Sequence, residues 1–297
     1  MTYQQSARNT PRTCLMIAAW FCVIGAPDGA RAADPAGFIV DIRGAPGTIV
    51  IERNGERAPG IWEPVFGGDV IHVRNANSSL LIEGRAGPVQ IGVECKKGGR
   101  VLAACSPYQV VDAPMSAFAR LADILARLFA EPPRLQEVNL QGRSATGPQL
   151  AVEGDRHRLV AGRRSVFLPL RFGTPPFRVT IRQGATTTGP FTGDTRIVRT
   201  PAIEMREGAA TLEFLDSAGL AGFVEVEFVK AAPRPQGLDD SPELSEFQAT
   251  LWAGWLAAHP SKQWSLEAVQ RLAPIARAYP AAQGLLMRIS GLSDDRS

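Results

Sequence analysis

The side chains able to do chemistry in this 297-residue sequence are few and widely spaced. Its three histidines, His72, His157 and His259, show none of the i,i+4 or short-loop spacing that a zinc site needs. No Gly-x-Ser-x-Gly elbow, phosphate loop or dinucleotide fingerprint occurs. The nearest approach to a catalytic set is Asp155-Arg156-His157 with Ser165 close behind. It follows Glu153-Gly154 and reads better as an exposed turn. Two other groups have the residue types that bind. Arg156, Arg158, Arg163, Arg164 and Arg171 offer planar forks that match carboxylates and phosphates; the competing reading is a solvated hairpin whose charges protect a sheet edge. Trp252 and Trp255, with Trp264 as a third candidate, mark a helix face that either packs internally or docks a partner. No catalytic residue, metal ligand or cofactor is expected from these patterns.

The thiols depend on what happens to the N-terminus. Arg8 and Arg12 precede the apolar run from Cys14 to Ala26. Pro27, Asp28 and Gly29 then break it, and Ala30-Arg31-Ala32 has the small-x-small form of a signal peptidase site. The run is well short of the roughly 20 apolar residues that span a bilayer. Neither Cys14 nor Cys22 follows a small residue as lipid attachment would need. The expectation is therefore a signal peptide over 1–32, cleaved after Ala32, and a periplasmic mature chain. Cleavage removes three arginines and one aspartate from 32 basic and 29 acidic residues, leaving a near-neutral protein. That balance argues against nucleic acid as a partner. It also leaves two cysteines, Cys95 and Cys105, flanking Lys96-Lys97-Gly98-Gly99. In an oxidising compartment they are expected to pair across a hairpin. A nucleophilic role finds no supporting base nearby.

The elements that must position these residues fall into three composition zones. Residues 36–111 alternate short aliphatic runs with glycines and prolines, as in a small β-sandwich or barrel. The runs at 48–53, 70–73, 79–83 and 89–93 are strands by pattern, and Asn54-Gly55 is a two-residue hairpin turn. A helix over 114–131 carries Phe118, Leu121, Ala122, Leu125, Leu128 and Phe129 on one face, with Asp123 and Arg127 paired on another. Its stripe suits packing on a β-domain better than a membrane surface. Residues 148–232 form a second β unit. Strands are expected at 166–170, 177–181, 210–214 and 223–229, the last two alternating apolar and acidic residues. A Pro-rich linker at 231–237 leads to a helical region, 240–292. There Asp240 and Glu243 form a cap, Ser265 caps a second helix ended by Pro274, and a third helix covers 281–289.

Two stretches carry resemblances. Gly47-Thr48-Ile49-Val50-Ile51-Glu52-Arg53-Asn54-Gly55, then Gly68-Asp69-Val70-Ile71, then Asn77-Ser78-Ser79-Leu80-Leu81-Ile82, resembles the extracytoplasmic FecR-type domain. The resemblance implies a FecR-like β-domain and a role in envelope signalling or docking. Regulators of that type place a sigma-factor-binding segment and a membrane helix ahead of the domain. Here a cleavable leader stands in that place, so transmembrane signalling is not carried over. Gly68-Asp69 is expected to be a turn with Asp69 bonding nearby amides. The segment from Leu168 to Phe177, with Pro175-Pro176, is similar to the Pro-Pro-aromatic turn of bacterial Ig-like modules, without the Cys-Trp-Cys signature of antibody domains.

These readings lead to one expectation: a mainly β, exported, non-enzymatic interaction or sensory accessory protein. It would combine a FecR-like sandwich or barrel, an Ig-like sandwich, a linking amphipathic helix and a C-terminal helical hairpin or bundle. Its partner would be another envelope or inner-membrane protein. The rival is a cell-envelope ligand binder recognising peptidoglycan, polysaccharide or anionic lipid through the arginines.

Overall fold

A computed structural model describes residues 34–93, 102–111, 115–130, 147–236, 238 and 245–292. The leader, Cys95, the Lys96–Gly99 stretch, and the expected cap residues Asp240 and Glu243 lie outside the described residues. The fold is mainly β, with several sheets and four helices among the described residues.

The first region contains β1 (Gly37–Arg43), β2 (Ile49–Glu52), β3 (Glu56–Arg57), β4 (Pro64–Val65), β5 (Val70–Val73), β6 (Ser79–Gly84), β7 (Gly87–Gly92), β8 (Leu102–Cys105) and β9 (Tyr108–Gln109). They form two sheets, ordered β4-β1-β6-β7-β8 and β3-β2-β5-β9. Ile39, Leu80, Ile82 and Ile91 of the first share a core with Ile49, Ile51, Ile71 and Val73 of the second. Alternation along each strand sends these branched side chains to one face.

Asn54 and Gly55 both take positive φ, 58° and 128°, as the turn requires. The loop is one residue longer than expected, because Glu52 pairs with Glu56 and leaves Arg53, Asn54 and Gly55 between them. That extra residue has a purpose. Arg53 Nε donates to Asp69 Oδ1 at 2.7 Å, its Nη2 donates to Asp69 Oδ2 and to the Pro64 carbonyl, and its guanidinium lies 4.2 Å from the Phe66 ring centre. Asp69, 3% exposed, also accepts from the Phe66 amide at 2.9 Å. The Gly68-Asp69 turn is thus an ion-paired knot that ties the β2–β3 hairpin to β4. Burial raises the Asp69 carboxyl, but the bonds from Arg53 and Phe66 outweigh it and hold it below the ordinary aspartate value.

β7 and β8 do not form a hairpin. They run parallel, with Gly92 opposite Cys105. Cys105 closes β8, and its expected disulfide partner Cys95 lies outside the described residues.

Helix α1 (Ser116–Ala130) leads toward the second region. This contains β10 (Gln149–Leu150), β11 (His157–Val160), β12 (Gly162–Arg164), β13 (Phe167–Arg171), β14 (Phe177–Gln183), β15 (Thr186–Gly193), β16 (Ile197–Arg199), β17 (Ile203–Met205), β18 (Gly208–Leu215) and β19 (Ala221–Val229). A five-stranded sheet, β11-β19-β18-β14-β15, and a three-stranded one, β10-β13-β16, contribute to one core; β12 pairs with β17 apart from them. Val179, Ile181, Leu212, Phe214, Val226 and Phe228 point inward, with charged neighbours outward. The Pro175-Pro176 segment carries the chain from β13 in one sheet to β14 in the other. Asp216 fastens this crossover by accepting from Thr174 N at 3.1 Å while also holding Leu220 N at 2.8 Å.

The helical region comprises α2 (Glu246–Ala257), α3 (Ser265–Leu272) and α4 (Pro280–Ser290). Ser245 and Gln248 make the capping box of α2. Ser265 lies inside α3, whose N-cap is Trp264 without a side-chain bond, so the expected cap is displaced by one residue. The stretch expected as a linker is packed: Pro235 is buried, and Trp252 Nε1 donates to the Pro233 carbonyl at 2.8 Å.

Asp34–Ser297 forms one compact unit. Phe38 and Trp62 of the first region, Leu121 and Leu125 of α1, the second β region's interior and Phe247, Leu251 and Leu285 of the helices belong to one continuous core. Phe247 lies 6.3 Å from Phe38, 6.1 Å from Trp62 and 5.6 Å from Phe118 between ring centres. The α1 stripe is therefore a packing face. A Cβ on Gly254 would sit 1.9 Å from Leu125 Cδ2, so only glycine lets α2 approach α1 this closely.

Candidate functional site

The site begins with how α3 meets the second β region. Strands β11 and β13 leave backbone groups at their ends that need partners. Gln270 supplies two: its Oε1 accepts from Phe167 N at 2.7 Å, and its Nε2 donates to Phe167 O at 2.7 Å. One amide side chain thus does what a neighbouring strand would do. One helical turn earlier, Glu267 is 1% exposed and accepts from Val160 N at 3.1 Å.

Glu267 is also an ionic hub. Arg164 Nη1 lies 3.0 Å from its Oε2 and Arg271 Nη2 lies 3.1 Å from its Oε1. Arg271 in turn lies against Trp252, 3.5 Å from the ring centre, with Arg234 at 5.0 Å. Burial lowers the Arg271 guanidinium below its ordinary value; Glu267 opposes this, and the nearby positive charges of Arg164 and Arg234 reinforce it. A single carboxylate is serving more than one cation here.

A cleft of about 450 Å³ opens beside this hub, between β12–β13, β16 and the segment after α3. Arg164, Ser165, Phe167, Gln270, Arg199 and Arg277 line it, with Ala273 and Pro274 forming an apolar wall. Arg199 reaches over the Phe167 ring, 5.3 Å from its centre. Arg199 and Arg277 are exposed, and neither forms an ion pair with a carboxylate among the described residues. The cleft therefore concentrates positive charge from three separate elements.

A scan of family models finds none that matches this chain, and comparison with curated proteins finds no match either.

The structure disperses the arginines that are adjacent in sequence. Only Arg164 enters the cleft. Arg158 is on β11, paired with Glu227 of β19 at 2.7 Å, Arg163 is exposed on β12, Arg156 is exposed before β11, and Arg171 ends β13 beside the Phe172 ring at 5.6 Å. Arg199 and Arg277 escape the sequence reading because neither belongs to the arginine cluster at 156–171. Trp252 and Trp264 are held in packed surroundings; Trp255 is half-buried and edge-on to His259 at 6.4 Å.

The histidines remain apart. His72 faces Glu52 at 3.2 Å and His259 faces Ser261 at 2.9 Å. Asp155 and Arg156 are exposed as expected, but His157 is not part of that exposed turn: it is buried as the first residue of β11. Its Nδ1 has no hydrogen-bond partner among the described residues, and burial pushes its pKa down to about 4. Among the described residues no cluster of His, Cys, Asp and Glu has the arrangement of a metal site. No described helix is long and apolar enough to cross a membrane.

Proposed function

We propose that this chain is an exported, non-enzymatic binding protein of the cell envelope that recognises an anionic component through the arginine-lined cleft. The observation that carries this reading is the pair Arg199 and Arg277, exposed in one cleft without carboxylate partners among the described residues, beside the overcommitted Glu267. Collecting like charges in a concave site is costly unless an opposite charge visits it, and a cleft focuses the field that attracts one. Export is supported by the leader pattern and by a compact unit that begins at Asp34, just beyond the expected cut after Ala32. Periplasmic location would also suit the disulfide expected between Cys95 and Cys105, the two cysteines left after cleavage.

The accessory-protein reading stands as the second proposal. Its support is the FecR-type pattern in the first region, together with strands at β2, β5 and β6 where that pattern needs them. In the same spirit, the second region's two sheets joined by the Pro-Pro crossover support an Ig-like assignment.

The deciding measurement is co-sedimentation of the mature protein with purified sacculi and with vesicles containing anionic lipid. Wild type should bind one of them, and Arg199→Glu with Arg277→Glu should abolish it. Arg164 is unsuitable for this test, because a glutamate there would face Glu267. Unchanged binding in the double variant would remove the cleft from the function and leave protein docking as the better reading.

A further inference from the structure

Within the anion-binding reading, on which this inference rests, the geometry points to a phosphate monoester as the group that the cleft holds. A carboxylate carries one charge on two oxygens, and Glu267 shows that two arginines suffice to meet it. The cleft offers Arg164, Arg199 and Arg277 together with the hydroxyl of Ser165. Such a set suits a tetrahedral dianion with three terminal oxygens, each able to accept more than one charge-assisted hydrogen bond. Arg164 is already oriented by Glu267 and lies against the β backbone, so its geometry is fixed before a ligand arrives. Arg199 is braced on the Phe167 ring. Arg277 comes from beyond α3, so the bound phosphate links the β region to the helical region. At about 450 Å³ the cleft is far larger than a phosphate ion, and its wall of Phe167, Ala273 and Pro274 leaves an apolar surface for the body attached to the phosphate.

A lipid head group and a soluble phosphorylated sugar both present this phosphate, and the test separates the two. The mature protein is titrated calorimetrically at pH 7.5 with inorganic phosphate, glucose 6-phosphate, glucose and acetate, and in parallel with vesicles containing phosphatidic acid. Phosphate and glucose 6-phosphate should bind saturably, while glucose and acetate should not. Affinity should fall at pH 5, where the monoester loses its second charge. It should also fall roughly tenfold for each of Arg199→Gln and Arg277→Gln. Both positions are exposed, and unchanged melting temperatures would show that the variants fold. A lipid source adds vesicle binding that glucose 6-phosphate competes away; a soluble source leaves the vesicles unbound. Failure of phosphate and glucose 6-phosphate to bind, or binding indifferent to both arginines, overturns the inference. If acetate binds with the same arginine dependence while phosphate does not, the phosphate inference fails and the anion-binding reading survives.

Discussion

Glu83 and His157 are buried ionisable groups with opposite demands on pH. Glu83, on β6, accepts from the Tyr279 hydroxyl at 3.3 Å where α4 meets the first β region. Burial raises its pKa to about 7, the Tyr279 bond opposes this, and the negative charge of Glu246 adds to it. A carboxyl held above its ordinary 4.5 stabilises the fold fully below that value, and the contribution is lost as pH rises through 7. For His157, burial lowers the pKa from 6.5 to about 4, partly offset by Asp155. Its contribution is present above 6.5 and lost as pH falls through 4. Glu83→Gln should therefore raise stability at pH 8 by about 2–3 kcal/mol and change it little at pH 4. Urea unfolding at the two pH values measures this, and an equal effect at both would mean that Glu83 does not titrate as described. Asp69 acts in the opposite direction to Glu83. Asp69→Asn should cost about 3 kcal/mol at neutral pH by leaving Arg53 facing a neutral group, and the cost should shrink as pH drops below the ordinary aspartate range. None of the buried pairings could be read from sequence, because Glu83 and Tyr279 are 196 residues apart. Asp69 was legible as a turn residue from Gly68-Asp69, but its pairing with Arg53 needed the fold.

Elements were more legible than contacts, wherever their signal was periodic. The alternating runs at 70–73, 177–181 and 210–214 lie within β5, β14 and β18, and the striped helix over 114–131 contains α1. Strands without aliphatic alternation gave no signal; β15, Thr186–Gly193, is made of Thr, Gly, Pro and one Phe, and it forms by pairing with β14 at a sheet edge. The same limit hid the cleft. An arginine cluster in sequence is scattered because its members fall on or beside β11, β12 and β13, which belong to different sheets, and because neighbours such as Arg163 and Arg164 leave a strand on opposite faces, whereas Arg164, Arg199 and Arg277 are joined only when α3 docks. That docking rests on Gln270, whose single amide satisfies both backbone groups of Phe167. Gln270→Ala should destabilise the protein by about 2 kcal/mol through those unpaired groups. It should also weaken any ligand of the cleft, since Gln270 lies in its lining. A stability loss under about 0.5 kcal/mol, as for an ordinary surface substitution, would show that the α3 contact is peripheral.

At the scale of the whole molecule, composition suggested modules in series, and the folded chain joins them through a shared interior. Phe247 is the clearest instance. It belongs to the helical region, yet its ring neighbours are Phe38 and Trp62 from the first β region and Phe118 from α1. Trp62 is wholly buried with a φ of 64°, a backbone conformation that a bulky residue adopts only under strong surrounding constraint. Phe247 is part of that constraint. If the first β region were an independent bead, Phe247→Ala would disturb only the helices. With a continuous core it should cost about 3–5 kcal/mol, the usual range for emptying a buried phenylalanine site, and lower the stability of strands two hundred residues away. Calorimetry on the mature chain should show one transition whose calorimetric and van't Hoff enthalpies agree. Hydrogen exchange should show β1 and β6 losing protection together with α2 in the variant. Two resolved transitions, with β1 untouched by Phe247→Ala, would break the link. The same linkage bears on function: the cleft lies where β strands and helices meet, so a ligand bound there stabilises the joined molecule by its preference for that state over the opened one.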